Sequence, residues 1–172
     1  WEGHASIIEE VAEAGVKPGS VSVSVGGGGL LCGVLEGMHR VGWEDVPVVA
    51  TETEGAASLQ ASISVGHLVT LERITSIATT LGARTVTGEC LRWAEKHTVI
   101  PWTMSDRVAV AACLKFADDH RVLVEHACGA ALASVYEGAR PLDDVDSVLV
   151  IVCGGAGVSL ELLKSWKKQV GL

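Results

Sequence analysis

Ser20-Val21-Ser22-Val23-Ser24-Val25 runs directly into Gly26-Gly27-Gly28-Gly29 and then into Leu30-Leu31-Cys32-Gly33-Val34-Leu35. The first six residues alternate Ser with β-branched Val, which reads as a strand. The last six open an apolar stretch reaching Arg40, which reads as a helix. A glycine turn between strand and helix lets the backbone come close to a ligand and leaves N–H groups pointing outward at the helix start. Such a turn attracts an anion, and phosphate is the usual guest, held by amides and the positive end of the helix dipole.

The same grammar recurs on either side. Ile7, Ile8, Val11 and Ala14 are spaced as one face of a helix that stops at Gly15, and Pro18-Gly19 turns the chain into the strand. Pro47 to Thr51 is a short Val-rich strand before a helix beginning near Gly55. Ser147 to Val152 is an apolar strand before Cys153-Gly154-Gly155. Both are continuously apolar rather than alternating, which predicts burial on two faces. Further helices are predicted over 85–97, 106–118, 127–136 and 159–170, with Asp106 and Ser159 as N-caps. Strands alternating with helices give an α/β fold, a three-layer α/β/α arrangement around a mostly parallel sheet with right-handed crossovers.

Length and composition narrow the function classes. The 172 residues suit one domain with a sizeable core. A net charge of -8 without clustered Lys or Arg argues against a nucleic-acid partner and leaves small molecules. No apolar run approaches the length of a bilayer span, so no membrane segment is expected. The five cysteines, at 32, 90, 113, 128 and 153, show no paired spacing, which predicts free thiols in a reducing, cytoplasmic setting. The chain opens at Trp1 with no leader-like segment, so an upstream portion is expected to be missing. The histidines at 4, 39, 67, 97 and 120 show no pairing at ligand spacing, and no structural zinc is expected. Trp43, Trp93, Trp102 and Trp166 read as core or interface residues.

Two familiar phosphate sites fail on inspection. G-x-G-x-x-G dinucleotide spacing would need a glycine at Leu30, between Gly28 and Gly33, and no Gly-Lys pair exists for a Walker-type loop. Glu52, at the end of the next strand, could imitate a ribose-binding acid, so a nucleotide-binding α/β module stays as a remote alternative. The second constellation is Cys153-Gly154-Gly155-Ala156-Gly157-Val158-Ser159, also placed after a strand. Ligands of open α/β sheets sit beyond the carboxyl ends of the strands. Both turns should therefore open on one side, one holding a phosphate and the other presenting a thiol to a ring.

Trp1-Glu2-Gly3-His4, Ser24-Val25 with Gly26 to Gly33, Cys128-Gly129-Ala130-Ala131 and Val150-Ile151-Val152-Cys153-Gly154-Gly155 resemble the L-serine dehydratases and serine dehydratase-like proteins. The resemblance runs nearly end to end and places the chain among fold-type-II pyridoxal-phosphate enzymes. It implies that residues 1–172 are the C-terminal portion of the cofactor-binding large domain. The implied function is β-elimination of L-serine, with L-threonine open as a second substrate, to a 2-oxo acid and ammonia. Gly26, Gly27, Gly28, Gly29 and Leu30 would bind the cofactor phosphate through amides, with Cys153 and Gly154 at the pyridine ring. A thiol there does not hold the ring nitrogen protonated as an aspartate would, which favours elimination over transamination. Gly26, Glu52, Ala56, Ser58, Leu81 and Ala83 would hold a potassium ion, although Glu52 alone reads equally as an exposed helix-start contact. A homodimer is implied for the full-length form.

The family's Schiff-base lysine lies in a Ser-x-Lys-x-Arg-Gly-type segment that has no counterpart here. Lys17, Lys96, Lys115, Lys164, Lys167 and Lys168 read as solvated surface. That lysine and the small domain binding the substrate carboxylate are expected upstream, so this chain alone is expected to be inactive. His126 stands where relatives carry proline, and Gly157 replaces an asparagine. A non-catalytic, cofactor-binding relative that acts as a regulatory dimerisation partner is the alternative reading.

Overall fold

A computed structural model describes all 172 residues, Trp1–Leu172. The central strand β1 (Ser20–Ser24) follows helix α1 (Glu2–Glu13) and feeds α2 (Gly29–Arg40). Next come β2 (Val48–Thr53), α3 (Ser58–Val65), α4 (Gly88–Ala94), β3 (Val99–Met104), α5 (Asp106–His120), α6 (His126–Tyr136), β4 (Val148–Val150) and α7 (Leu160–Gln169). The four strands form one sheet in the order β3-β2-β1-β4. Every pairing is parallel, with Val21 opposite Val48, Ser20 opposite Val148 and Val48 opposite Val99.

The alternation in β1 sorts its side chains between two helical layers. Val21 and Val23 join Ile8, Leu31, Leu35 and Met38 in the main core beneath α1 and α2. The serines face α6: Ser22 Oγ donates to the Ala131 carbonyl at 3.0 Å and lies 2.8 Å from Ser134 Oγ. All five β1 residues are thus buried, and the hydroxyls are satisfied within the protein, Ser22 by α6, Ser20 by the Pro47 carbonyl and Ser24 by the Cys153 sulfur. On that same side α5, α6 and α7 pack around Cys113, Cys128, Leu132 and Leu163.

Several local expectations shift for physical reasons. Thr98 and β3 carry too little alternation to stand out as a strand, and Pro101 argues against one, yet at the sheet edge a missing N–H is tolerated. β2 is fully buried as expected, whereas β4 is only half-buried because nothing covers its outer edge. Ser105, not Asp106, is the N-cap of α5; the Asp106 carboxylate instead accepts from Ser76 Oγ at 2.5 Å and the Ile77 amide at 3.0 Å. Ser159 does cap α7, accepting the Leu162 amide at 3.1 Å. Residues 66–87 contain only the single 3-10 turn Thr79–Leu81. No helix is long and apolar enough to cross a membrane.

Helices α1 and α2 approach so closely that Gly37 has no room for a side chain. A Cβ there would stand 2.6 Å from the Ala5 carbonyl oxygen and 2.9 Å from Ile8 Cβ. Gly37→Val should therefore destabilise the fold by roughly 2 kcal/mol or more through overpacking, read as a lower midpoint of urea unfolding; an unchanged midpoint would contradict this packing.

Candidate functional site

The glycine turn is held from below through its carbonyls. The Gly27 carbonyl accepts the Thr87 amide at 3.0 Å, and the Gly28 carbonyl accepts the Cys32 amide at 2.9 Å and the Cys90 thiol at 3.7 Å. A Cβ on Gly26 would press the Thr80 oxygen at 3.1 Å and Leu81 Cα at 3.2 Å. Gly28 sits at φ +89 as the N-cap of α2, a conformation that side chains resist. The amides take the opposite role. From Gly26 to Leu31 not one finds an acceptor in the protein. Six free donors in succession, at the positive end of a twelve-residue helix, form an anion seat.

These amides open on a cleft of about 270 Å³ that also contains Ser24, Thr80, Glu125, Cys128, Cys153 and Gly154. The two glycine turns thus share one cavity at the carboxyl ends of β1 and β4. Cys153 Sγ is 3.8 Å from Ser24 Oγ and is exposed. A hydrogen bond with the Cys128 thiol, reinforced by Ser24 and opposed by burial, draws the Cys153 thiol down to about 6. Cys128 is driven up by the same contact and by burial, and its S–H donates to the Gly154 carbonyl at 3.1 Å. The sulfur of Cys153 thus lies beside the Ser24 hydroxyl, at the carboxyl end of the neighbouring strand. Gly154 lies at φ +142 at the rim.

Of the six residues assigned to a cation, Gly26, Leu81 and Ala83 lie at the turn, Ala56 adjoins Leu81, and Glu52 and Ser58 lie at the start of α3. Ala56 and Leu81 share a small core cluster, Gly26 abuts Leu81, and Ala83 Cβ is 3.9 Å from where a Gly27 Cβ would stand. Glu52 does make the helix-start contact, its two oxygens accepting the Leu59 and Gln60 amides at 2.8 Å each. It is fully buried rather than exposed, and burial raises its carboxyl to about 7 despite those amides. Ser58 Oγ, also buried, has no hydrogen-bond partner. A buried carboxylate, an orphaned hydroxyl and main-chain oxygens are a donor set suited to a hard cation.

Ser24, Thr80, Glu125 and Cys128 were not singled out by sequence reasoning. Cys128 and Ser24 had a visible signal, their places in the quoted Cys-Gly-Ala-Ala and Ser-Val-Gly phrases; Thr80 and Glu125 had none. Glu125 Oε1 accepts the Gly157 amide at 2.9 Å, and a Cβ on Gly157 would lie 3.0 Å from that oxygen, so glycine at 157 leaves the carboxylate room. His126 borders a second cavity of about 290 Å³ that shares Thr80 and Glu125 with the first. The imidazole is buried against Trp166, ring centroids 3.9 Å apart, and its Nε2 has no partner. All six lysines are exposed and none lines the cleft. His39 and His97 do meet, at 3.3 Å, which their spacing of 58 residues concealed. No group of three or more His, Cys, Asp or Glu side chains converges as a metal site.

A family model described as pyridoxal-phosphate dependent enzyme matches residues 1–154. The chain is 49% identical to the L-serine dehydratase/L-threonine deaminase of Rattus norvegicus, an alignment covering 100% of this chain and 50% of that protein. It is 47% identical to the serine dehydratase-like protein of Mus musculus, covering 99% and 55%. The crystal structure of a fungal L-serine ammonia-lyase from Rhizomucor miehei superposes with a TM-score of 0.93 at 37% identity, covering 99% and 56%. The chain spans about half the length of the curated relatives it matches.

Two outcomes follow from this geometry. Gly28→Ala should cost roughly 1–3 kcal/mol more than Gly66→Ala. Both glycines have positive φ, but only at 28 does the new Cβ strike a neighbour, Cys90 Sγ at 2.2 Å; equal unfolding midpoints would contradict the placement of the turn. His126 gives a pH signature. Burial holds its imidazole at about 4 against an ordinary 6.5. The unfolded chain thus takes up the proton first, so the contribution is full above 6.5, declines as pH falls, and levels off below 4. Wild type should lose roughly 1–2 kcal/mol more than His126→Phe between pH 7 and 4.5, after screening by solvent; parallel pH profiles of urea unfolding would refute it.

Proposed function

Because the chain belongs to the pyridoxal-phosphate dependent enzyme family, we propose that it is the cofactor-binding C-terminal portion of an enzyme that dehydrates and deaminates L-serine. L-threonine is the proposed second substrate, and the products are a 2-oxo acid and ammonia. The observation that carries this reading is the row of unpaired amides from Gly26 to Leu31 facing Cys153 across one cleft. Phosphate and heteroaromatic ring need such a pair of walls, and a nucleotide site would not call for a cysteine at the second one.

When bound, pyridoxal phosphate supplies an electron sink for charge at the substrate α-carbon. The chain's own groups do the rest of what can be assigned to it. Amides of Gly26, Gly27, Gly28, Gly29 and Leu30 grip the phosphate, and the α2 dipole stabilises its charge. Cys153 Sγ would meet the ring nitrogen, with Ser24 and Cys128 beside it in the cleft. A thiol at that position would not hold the nitrogen protonated as a carboxylate would. Gly154 contributes backbone beside the ring. Glu52, Ser58 and the carbonyls of Gly26, Ala56, Leu81 and Ala83 would hold potassium. That ion would steady the segment under the turn and offset the buried Glu52 charge. The proton-abstracting lysine and the substrate-carboxylate contacts come from outside this chain.

The five free thiols support a reducing, cytoplasmic location. The homodimer is proposed on resemblance alone, and sedimentation of the full-length protein would decide it.

The test uses the full-length protein that contains this chain, supplied with pyridoxal phosphate. Ammonia and 2-oxo acid should appear from L-serine, faster in potassium than in lithium chloride, and Cys153→Ala should slow turnover on the order of tenfold or more. Cofactor binding without ammonia release would instead make the protein a non-catalytic, cofactor-binding relative.

A further inference from the structure

Beneath the glycine turn lies a second pair of thiols that the proposed chemistry does not use. Cys32, on the first turn of α2, and Cys90, on α4, bring their sulfurs to 3.6 Å. Both are fully buried in the main core. The same Cys90 sulfur reaches the Gly28 carbonyl at 3.7 Å and fills the space where a Gly28 Cβ would stand, 2.2 Å away. One sulfur thus supports the turn and touches a second thiol.

We propose that Cys32 and Cys90 are an oxidation site whose disulfide loosens the phosphate-binding turn. The two sulfurs at 3.6 Å are within reach of each other for a bond of about 2 Å, and disulfides in a reducing compartment are typically transient and regulatory. The co-reactant is a peroxide. One cysteine sulfur attacks a peroxide oxygen, the O–O bond breaks, and water leaves behind a sulfenic acid. The partner sulfur then displaces that hydroxyl as a second water, forming the S–S bond. Each sulfur gives up one electron, the peroxide gains two, and the two thiol protons end in water.

Position favours Cys32 as the first to react, since it lies near the positive end of α2. Access comes from local opening at α4, a seven-residue helix preceded by residues 66–87 with their single 3-10 turn. Drawing the Cys90 sulfur toward Cys32 withdraws its S–H from the Gly28 carbonyl and leaves a gap under that residue. The turn's ordered amides lose their support, and affinity for a phosphate ligand falls. Coupling is reciprocal, so a bound phosphate ligand must slow disulfide formation.

This functional consequence rests on the phosphate reading of the turn, but the bond itself does not. The full-length protein is treated with hydrogen peroxide, unfolded, alkylated and cut with trypsin. The expected product is the peptide that ends at Arg40 and carries Cys32 linked to residues 85–92, lighter by two hydrogens and separated by dithiothreitol. Absence of that pair, or a Cys128–Cys153 link in its place, overturns the proposal whatever the turn binds. Affinity is then read with pyridoxine 5′-phosphate, which lacks the aldehyde that reacts with surface lysines. Oxidised wild type should bind at least tenfold more weakly than reduced wild type, reversibly, while Cys90→Ala and Cys32→Ala, each compared with its own untreated form, change less than twofold. The ligand should also slow formation of the link. An equal loss in the variants places the effect at Cys153 and overturns the regulatory claim. Wild-type peptide mapping and ligand protection decide the matter even if a variant fails to fold.

Discussion

Everything at the candidate site depends on an imbalance in the backbone of the glycine turn. Its carbonyls at Gly27 and Gly28 are bonded from beneath by Thr87, Cys32 and Cys90, whereas its amides from Gly26 to Leu31 have no acceptor. Unsatisfied donors are costly where water is scarce, so a fold that keeps six of them together at a buried strand end implies a partner for them. The arrangement is rigid because the carbonyl side is bonded and Gly28 is fixed at positive φ over the Cys90 sulfur. A ligand's negative group would meet donors already aimed, with little backbone left to order.

The sheet turns that local feature into a cleft. β1 is central, β4 lies beside it in the same direction, and parallel strands place their carboxyl ends on one side. The turn after β1 and the Cys153 turn after β4 are thus brought together by topology. Packing sets their chemistry. Cys128, from α6, hydrogen-bonds with Cys153 and draws it toward the thiolate, while Glu125, at the start of that helix, receives the Gly157 amide. One helix start therefore shapes both the charge and the width of the opening.

The strand-turn-helix core was legible because its signals are local: β-branched alternation into glycines, then an apolar helix. The caps were partly legible; Ser159 serves α7, but Asp106 is taken by Ser76 and Ile77, contacts thirty residues away that no local pattern reveals. β3 was missed because Pro101 is tolerated only at a sheet edge, and edge position is a tertiary fact. Glu52 illustrates a half-correct reading, since its role at a helix start was visible but its burial was not. Thr80 and Glu125 enter the site through topology alone. The Cys32–Cys90 and His39–His97 contacts each join residues 58 positions apart, beyond any spacing rule.

The most direct measurement of the central claim is residue-resolved amide NMR of the protein titrated with pyridoxine 5′-phosphate. The account predicts that the largest shifts and the strongest gain in protection from hydrogen exchange fall on the amides of Gly26 to Leu31. Unphosphorylated pyridoxine should leave them almost unmoved. Shifts of equal size with and without the phosphate, or shifts centred elsewhere while Gly26 to Leu31 stay unchanged, would contradict the glycine turn as the anion seat.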